Sequence, residues 1–487
     1  MLGLSNWPLP LLALYLFYLA VALYVCAQMV YLKHDPIKTL SWTIVMLFLP
    51  FFGMIIYFYF GQNYRRNKIY SRKGVRDERI KKVISAQQIA QFEAMKGSLP
   101  KEIAKQIRLI KLNLNNNKSI LTSYNNITPY FTGKDALKAM MESVKSAQHH
   151  IHLQSYIIEN DAIGTLWQQE LIQKAQQGVQ VRVIYDDVGS WTLPRHYSDK
   201  LKAAGAQVES FAAVRYPWLT SKINYRNHRK ILVVDGKVAY MGGVNIADRY
   251  YSGGDYLAWL DAHIKVEGEA VANLQSSFLL DWYFINGQTL PNRKQFYPNL
   301  VLPEKICYTQ VITSGPDSDY ANIMQSYFTA ITQAKKHLYI ITPYFTPNET
   351  ILNAIKVASL GGVDVRIMLP EKSDATITHL SSRSYFTELM EAQVKIHLYH
   401  KGFNHSKVIS IDGNFCIIGS ANMDNRSFEH NFEVSTLVYN KKVTRQVDEQ
   451  FRSNLRDCRQ LQLKKWEKRS RKEKIFEAFA RLFSPLL

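Results

Sequence analysis

Two short segments of the chain place a histidine, a lysine, an aspartate and an asparagine at identical spacing. The first reads NHRKILVVDGKVAYMGGVN from Asn227 to Asn245, and the second reads NHSKVISIDGNFCIIGSAN from Asn404 to Asn422. A lone histidine two positions before a lysine is weak evidence, because such a histidine is more often structural than catalytic. The whole pattern, present twice in one chain, is far more specific and indicates two half-sites that share one chemistry.

The histidine and the lysine of each segment can meet the same ligand. Side chains alternate between the faces of a strand, so His228 and Lys230 share a face, as do His405 and Lys407. A lysine beside a histidine repels a metal cation and attracts a phosphate, so the segments predict anion sites and require neither a metal nor a cofactor. A histidine at a phosphate can act as a nucleophile or transfer a proton.

The other residues of the pattern receive different roles. Asp235 and Asp412 follow the lysines by an odd number of positions, which turns them away from the ligand and favours a role in holding the strand or turn. The Gly- and Ser-containing loops bring small residues and an amide close to the site, where they could bind phosphoryl oxygens. The candidate residues of the two segments are His228, Lys230, Asp235, Gly243, Asn245, His405, Lys407, Asp412, Ser420 and Asn422.

Each segment ends a larger repeated unit. AQHHIHLQSY is followed by GVQVRVIY from Gly178, and AKKHLYIITPY is followed by GVDVRIML from Gly362. Runs of β-branched residues bounded by glycine and separated by helical stretches predict an α/β sheet covered by helices. The expected fold is two α/β sandwich repeats, 121–300 and 301–450, whose half-sites complete one active site.

The N-terminal part of the chain is apolar enough to cross a membrane. No Asp, Glu, Lys or Arg precedes Lys33, and uncharged stretches predict spans over about 9–32 and 39–61. Residues 1–64 are therefore expected to form a transmembrane hairpin. A cleaved signal peptide and a buried helical pair of a soluble protein are the alternatives.

The charge distribution places this hairpin relative to the rest of the chain. Sixty Lys and Arg against forty Asp and Glu give a formal charge of +20, which suits a polyanionic partner such as nucleic acid or an anionic membrane. Basic residues crowd the start of the expected juxtamembrane linker, 65–120, and this predicts a cytoplasmic catalytic part. A basic amphipathic helix is expected within the tail, 451–487. The four cysteines form no CxxC pair, which suggests reduced thiols.

The duplicated segments resemble the paired HKD motifs of the phospholipase D superfamily. The resemblance implies two similar α/β halves around a single active site, with both histidines facing a phosphodiester. It also implies phosphate binding by Lys230, Lys407, Asn245 and Asn422. An acidic residue beyond the asparagine commonly hydrogen-bonds the imidazole in this family. Asp261 and Glu433 occupy suitable positions, with structural salt bridges as the alternative.

Together with the N-terminal spans, the motifs make the chain similar to bacterial cardiolipin synthases. That resemblance implies a multi-pass inner-membrane enzyme whose partners are phosphatidylglycerol and anionic membrane lipids, with no nucleic acid. Two phosphatidylglycerols would give cardiolipin and glycerol through a phosphohistidine, with His228 as the expected nucleophile and His405 as the acid and base. The alternatives are a membrane phospholipase D that uses water, a phospholipase D-type nuclease, and an inactive membrane-tethered module that binds lipid or nucleic acid.

Overall fold

The protein is described by a computed structural model over residues 8–32, 36–61, 76–95, 97–211, 225–254, 258–287 and 293–487, together with Tyr256 and Leu290. The described residues belong to two compact units, one containing residues 8–61 and one beginning with residue 76. The smaller unit contains the helices α1 (Leu9–Tyr31), α2 (Pro36–Phe48) and α3 (Phe52–Phe60).

Helix α1 coincides with the first predicted span. It has 23 residues, and it is the one helix among the described residues that is long and apolar enough to cross a membrane. It packs against α2 in antiparallel fashion, because the Tyr18 hydroxyl donates to the Met46 carbonyl and Cys26 Sγ lies 3.4 Å from Thr43 Oγ1. The predicted hairpin thus begins as two packed helices.

The second predicted span is interrupted. Helix α2 ends at Phe48, and α3 begins only at Phe52. Pro50 lies between them, and its ring both lacks an N–H donor and disfavours the helical conformation of Leu49. Residues 39–61 therefore form two short helices instead of one continuous helix. Most of the basic residues that crowd the start of the predicted linker lie outside the described residues.

The larger unit begins with two helices and continues with two repeats. The helices are α4 (Arg76–Ala94) and α5 (Lys101–Asn117). The first repeat contains β1 (Asn125–Thr132), α6 (Gly133–Ser146), β2 (His150–Ser155), α7 (Ala162–Gln176), β3 (Gln180–Asp186), α8 (Arg195–Ala203), β4 (Gln207–Phe211), β5 (Ile231–Val234), β6 (Val238–Gly242), α9 (Asp248–Ser252), β7 (Trp259–Gly268), α10 (Val271–Asn286) and a 3-10 turn (Arg293–Phe296).

The second repeat follows the same plan and is extended at its C-terminal end. It contains β8 (Tyr308–Ser314), α11 (Asn322–Gln333), β9 (His337–Ile341), β10 (Phe345–Thr346), α12 (Glu349–Leu360), β11 (Asp364–Pro370), α13 (Thr376–Ser384), α14 (Phe386–Glu391), β12 (Lys395–Tyr399), β13 (Phe403–Asn404), β14 (Val408–Ile411), β15 (Phe415–Gly419), β16 (Met423–Asp424), α15 (Asn425–Glu429), β17 (Glu433–Tyr439) and α16 (Lys441–Asn454). The C-terminal segment adds a 3-10 turn (Leu455–Asp457), β18 (Cys458–Gln460), α17 (Leu463–Trp466), α18 (Arg471–Arg481) and a last 3-10 turn (Ser484–Leu486).

The two sheets have the same strand order. The first is β1-β7-β6-β5-β2-β3-β4, and the second is β8-β17-β15-β14-β9-β11-β12 with β18 added at the edge. Along both orders three strands run parallel, β2-β3-β4 and β9-β11-β12, and the remaining neighbours pair antiparallel. In addition, β13 pairs with β7 of the first sheet in parallel. This topology confirms the predicted pair of α/β repeats.

One hydrophobic core lies between the sheets. Val233 and Val266 of the first sheet belong to the same buried cluster as Val408 and Ile418 of the second sheet. Because side chains alternate along each strand, the opposite faces of the sheets remain available for the surrounding helices. The repeats therefore share a core, which fixes the two histidine segments relative to each other.

Parts of the predicted linker and tail also belong to this folded unit. Helix α5 buries Ile103, Leu109 and Leu114 in the core of the second repeat. In the tail, Trp466 is buried against Phe386, with ring centroids 5.5 Å apart. Both segments therefore pack on the second repeat through apolar side chains.

Candidate active site

Each histidine segment pairs with a strand of the other repeat. The backbone N–H of His228 donates to the Phe432 carbonyl at 2.9 Å, immediately before β17. The N–H of His405 donates to the Leu260 carbonyl in β7 at 2.7 Å, and β13, just before His405, pairs with β7 in parallel. This reciprocal pairing brings the two predicted half-sites together.

The same exchange gives each histidine a carboxylate from the other repeat. Nδ1 of His228 lies 3.0 Å from both oxygens of Glu433, and Nδ1 of His405 lies 2.8 Å from Asp261 Oδ2. Both carboxylates are fully buried. When Nδ1–H donates to the carboxylate, Nε2 of each ring is left with its lone pair for chemistry at phosphorus.

Two loop residues fit closely around these carboxylates. The Ser420 hydroxyl donates to Glu433 and accepts from the Val434 N–H at 3.0 Å. At the matching position of the first repeat, a Cβ on Gly243 would lie 2.0 Å from Asp261 Oδ1. A side chain at position 243 would therefore displace Asp261, so Gly243 leaves room for that carboxylate. Ser420 instead hydrogen-bonds the carboxylate of Glu433. Both loop residues thus help to fix the position of an acid beside its histidine.

The two lysines are buried beside the histidines. Lys230 and Lys407 are each 2% exposed, and each ammonium donates to the carbonyl of its own histidine, at 2.7 Å and 2.5 Å. Burial lowers the pKa of Lys230 well below its usual value; Glu433 opposes this shift and Lys407 adds to it. Two mutually repelling ammonium groups in one buried site favour a bound anion, which would stabilise both charges.

The two histidine–carboxylate pairs differ electrostatically. Burial lowers the pKa of His228 to about 4 although Glu433 opposes the shift. Burial would raise the pKa of Glu433, but His228, Lys230 and the Ser420 hydrogen bond together lower the pKa to about 2. In the other pair, burial raises the pKa of Asp261 to about 7 against the effect of Lys407. The ionised form is therefore favoured at Glu433 more strongly than at Asp261.

The two aspartates of the motifs lie at the opposite end of their strands from the lysines. Asp235 accepts backbone N–H groups of residues 148–150 at 2.8–3.0 Å, and Asp412 accepts those of residues 335–337. Both residues have positive φ, 54° and 56°. Asp235 ties the turn after β5 to the start of β2, and Asp412 ties the turn after β14 to the start of β9. They thereby fix the strand that begins directly after each lysine.

The two asparagines of the motifs lie in different environments. Asn245 accepts the Ile157 N–H at 3.1 Å and donates to the Tyr250 hydroxyl at 2.5 Å, whose ring packs against His405. Asn422 has a buried Oδ1 with no hydrogen-bond partner among the described residues. The structure therefore links Asn245 to one histidine through an aromatic ring and leaves the Asn422 oxygen available for a ligand.

A buried ion pair behind the site was missed by sequence reasoning. Arg229 and Asp281 are both completely buried, and Arg229 Nη1 donates to the two carboxylate oxygens at 2.5 and 2.6 Å. The guanidinium also donates to the carbonyls of Glu433 and Ser314. Arg229 thus links β8 and β17 to the first repeat. Strand alternation places His228 and Lys230 on one face and Arg229 on the other. This alternation was the sequence signal from which the opposite orientation of Arg229 could have been predicted.

Aromatic rings around the histidines were also not predicted. The Tyr156 ring is 4.8 Å from the His228 ring, whereas the rings of Tyr250 and Trp259 are each 5.6 Å from His405. These ring contacts restrict the rotation of the imidazoles. No local motif carries these contacts, because the rings come from separate loops and strands.

Comparison with known proteins agrees with this geometry. Residues 140–282 and 327–455 match the family model described as the cardiolipin synthase phospholipase D-like domain, and residues 16–62 match the phospholipase D-nuclease N-terminal model. The cardiolipin synthase of Alkalihalophilus pseudofirmus is 40% identical over 93% of this chain and 90% of its own length. That of Geobacillus kaustophilus is 37% identical over 100% of this chain and 97% of its own length.

A solved structure shares the fold. The phosphatidylserine synthase of Haemophilus influenzae superposes with a TM-score of 0.61 at 15% identity, covering 79% of this chain and all of that one. Its low identity supports the architecture alone. The family matches and the near full-length relatives show that this chain belongs to the cardiolipin synthase family of phospholipase D-like phosphatidyltransferases.

Proposed function

We propose that the protein transfers a phosphatidyl group from one phosphatidylglycerol to a second one, giving cardiolipin and glycerol. The observation that carries this proposal is the pair of buried histidines, each oriented by a carboxylate of the other repeat, with two buried lysines beside them. These groups are the nucleophile, the proton carrier and the anion site that phosphatidyl transfer needs. Family membership supports the same reaction.

The reaction has two balanced steps. In the first, Nε2 of His228 attacks phosphorus and the bond from phosphorus to the glycerol oxygen breaks. His405, which enters this step protonated on Nε2, gives that oxygen its proton and becomes neutral. In the second, His405 removes the proton from a primary hydroxyl of the acceptor lipid, whose oxygen attacks phosphorus and displaces His228. The ionised Glu433 suits the first role, because it stabilises the positive charge of a phosphorylated imidazole. Asp261, with a pKa of about 7, suits the exchange of protons.

We also propose that the protein is an inner-membrane enzyme with two spans and a cytoplasmic catalytic unit. The length and composition of α1 and its packing with α2 support the hairpin, and the basic stretch after it supports the orientation. The tail would lie on the membrane surface, since α18 and the residues after it expose a basic and apolar face. Its exposed apolar residues are Ile475, Phe476, Phe479, Leu482 and Phe483.

The domain limits that we propose follow from this arrangement: a hairpin, 1–64; a linker, 65–120; two repeats, 121–300 and 301–450; and a tail, 451–487.

The test of the function is the product formed by the purified protein in vesicles of phosphatidylglycerol. Cardiolipin and free glycerol in equal amounts are expected. Phosphatidic acid and glycerol as the main products would instead identify a hydrolase.

A further inference from the structure

The row of polar side chains that contains the histidine and the lysine is longer in the first repeat than in the second. The Phe432 N–H donates to the Arg226 carbonyl at 2.8 Å, and the Phe432 carbonyl accepts from His228, so the backbone is extended between these residues. Alternation along extended backbone places Arg226, His228 and Lys230 on one face. The corresponding row of the second repeat starts with Phe403. The site therefore has an additional cation on one side only.

The buried Arg226 side chain has a hydrogen-bond donor that is not satisfied. The residue is 3% exposed, and its Nη1 has no hydrogen-bond partner among the described residues. The carboxylate of Asp186 is nearby but accepts the backbone N–H groups of Val188, Gly189 and Asn227 at 2.8–3.1 Å. A buried guanidinium nitrogen without an acceptor is unfavourable, and an anionic oxygen would satisfy it.

A second guanidinium approaches from the other repeat. The Arg426 carbonyl accepts the N–H groups of His430 and Asn431, both at 2.9 Å, directly before Phe432, whose N–H donates to the Arg226 carbonyl. Burial lowers the pKa of Arg226; Asp186 opposes this shift and Arg426 adds to it. Burial and Asp186 raise the pKa of Tyr156, and both arginines oppose the shift. Arg426 is half-buried, and its side chain makes no ion pair in the part of the chain that the structure describes. Its counterpart in the first repeat, Arg249, is instead paired with Glu159 at 2.8 Å.

We propose that Arg226 and Arg426 form a second anion subsite, which binds the phosphodiester of the acceptor phosphatidylglycerol. This inference rests on the proposed transfer reaction. The donor phosphodiester would lie between His228 and His405, and the Tyr156 ring lies beside this first subsite, 4.8 Å from the His228 ring. In the product, six bonds join the two phosphorus atoms, which spans roughly 7–8 Å when extended. Two adjacent anion subsites match a product that carries two phosphates.

The subsite distinguishes acceptors by their charge. A phosphatidylglycerol acceptor brings its own phosphate and would gain charge-assisted hydrogen bonds from the guanidinium groups. Glycerol and water carry no phosphate and would gain none. The arginines therefore favour transfer to a second lipid over the return of the phosphatidyl group to glycerol.

Two reactions of the same purified protein test the proposal. The first is cardiolipin formation in phosphatidylglycerol vesicles, and the second is the exchange of labelled glycerol into phosphatidylglycerol, which uses a neutral acceptor. For Arg226→Gln and for Arg426→Gln, cardiolipin formation should fall by about tenfold or more while exchange changes less than about threefold. Arg226→Lys should restore part of the loss. Arg445→Gln, which removes an exposed charge on α16, is the control and should leave both rates unchanged.

The outcomes separate this subsite from the reaction itself. Equal losses of both rates, or no loss in either, would overturn the subsite. Arg426 is less buried than Arg226, so its variant decides the question even if Arg226→Gln fails to fold. A wild-type protein that released phosphatidic acid instead of cardiolipin would overturn the transfer reaction, and would do so before any variant is compared.

Discussion

At the scale of single residues, each histidine depends on a carboxylate from the other repeat. The repeated spacing predicted the histidines and the lysines, and the resemblance to the phospholipase D superfamily pointed to the two acids, Asp261 and Glu433. The sequence did not predict that Glu433 contacts His228 and that Asp261 contacts His405. Local spacing cannot show this exchange, which depends on the pairing of Phe432 and Leu260 with segments far away in the chain.

Since both histidines serve one site, their losses should not add. We expect His228→Ala and His405→Ala each to reduce cardiolipin formation to near the background rate. The double variant should be no worse than either single variant, because residues that act as a unit are grossly non-additive. The measurement is the initial rate of cardiolipin formation by purified protein. Near-normal activity of either single variant would exclude a shared site.

The nucleophile can be identified by trapping. With phosphatidylglycerol labelled in its diacylglycerol part, His405→Asn should still form some protein-bound, acid-labile label slowly, because its missing function is proton transfer. His228→Asn should form none, because it lacks the attacking nitrogen. The label is measured on quenched protein. The reverse pattern would exchange the two roles and leave the two-step reaction unchanged.

The carboxylate behind the nucleophile should matter for rate more than for binding. We expect Glu433→Gln to lower kcat by roughly 100-fold or more with a smaller change in KM, because the amide keeps the size of the side chain but not its charge. Glu391→Gln, at an exposed position on α14, is the control. A change confined to KM would indicate that Glu433 acts on substrate binding and leave His228 without its proposed orienting partner.

At the scale of helices and strands, the sequence predicted the repeated elements better than the connections. The strands of both repeats were predicted because glycine-bounded β-branched runs recur at matching places. The second membrane span was predicted with Pro50 inside it, because membrane helices tolerate proline, whereas the structure breaks the helix at this residue. The packing of α5 on the second repeat was not predicted, because Leu109 and Leu114 have no visible partner in the linear sequence.

The prediction at the scale of secondary structure concerns the contact of helix α18 with the membrane. Phe476 and Phe479 are both 60% exposed and lie among basic residues, so we expect them to enter an anionic bilayer. Changing either to Asp should lower binding to phosphatidylglycerol vesicles by about tenfold or more. Cardiolipin formation should fall with vesicles and be retained in detergent micelles.

A matched control separates insertion from net charge. Lys335→Gln removes one positive charge at an exposed position of the second repeat, which lowers the net charge as much as Phe479→Asp does. It should bind vesicles nearly as the wild type does. If Lys335→Gln lost as much binding as Phe479→Asp, long-range electrostatics would account for the effect and α18 would have no special role.

At the scale of the whole molecule, the site requires both repeats in one folded unit. The shared core between the sheets and the buried Arg229–Asp281 pair fix the halves to each other. Sequence duplication alone predicted one composite site, since each motif supplies a single histidine and a single lysine. The exchange of strand partners explains why neither half could be complete by itself.

The orientation of this unit relative to the membrane gives the last prediction. Nine basic residues lie between Arg65 and Lys82, after the second apolar stretch, and such clusters remain on the cytoplasmic side. A reporter that is active only in the cytoplasm should therefore be active when fused after Leu487, and a reporter that is active only in the periplasm should be inactive there. With two spans, a fusion after Leu32, between α1 and α2, should give the opposite result. If both fusions reported the same compartment, the broken second stretch would not cross the membrane, and α1 alone would anchor the enzyme.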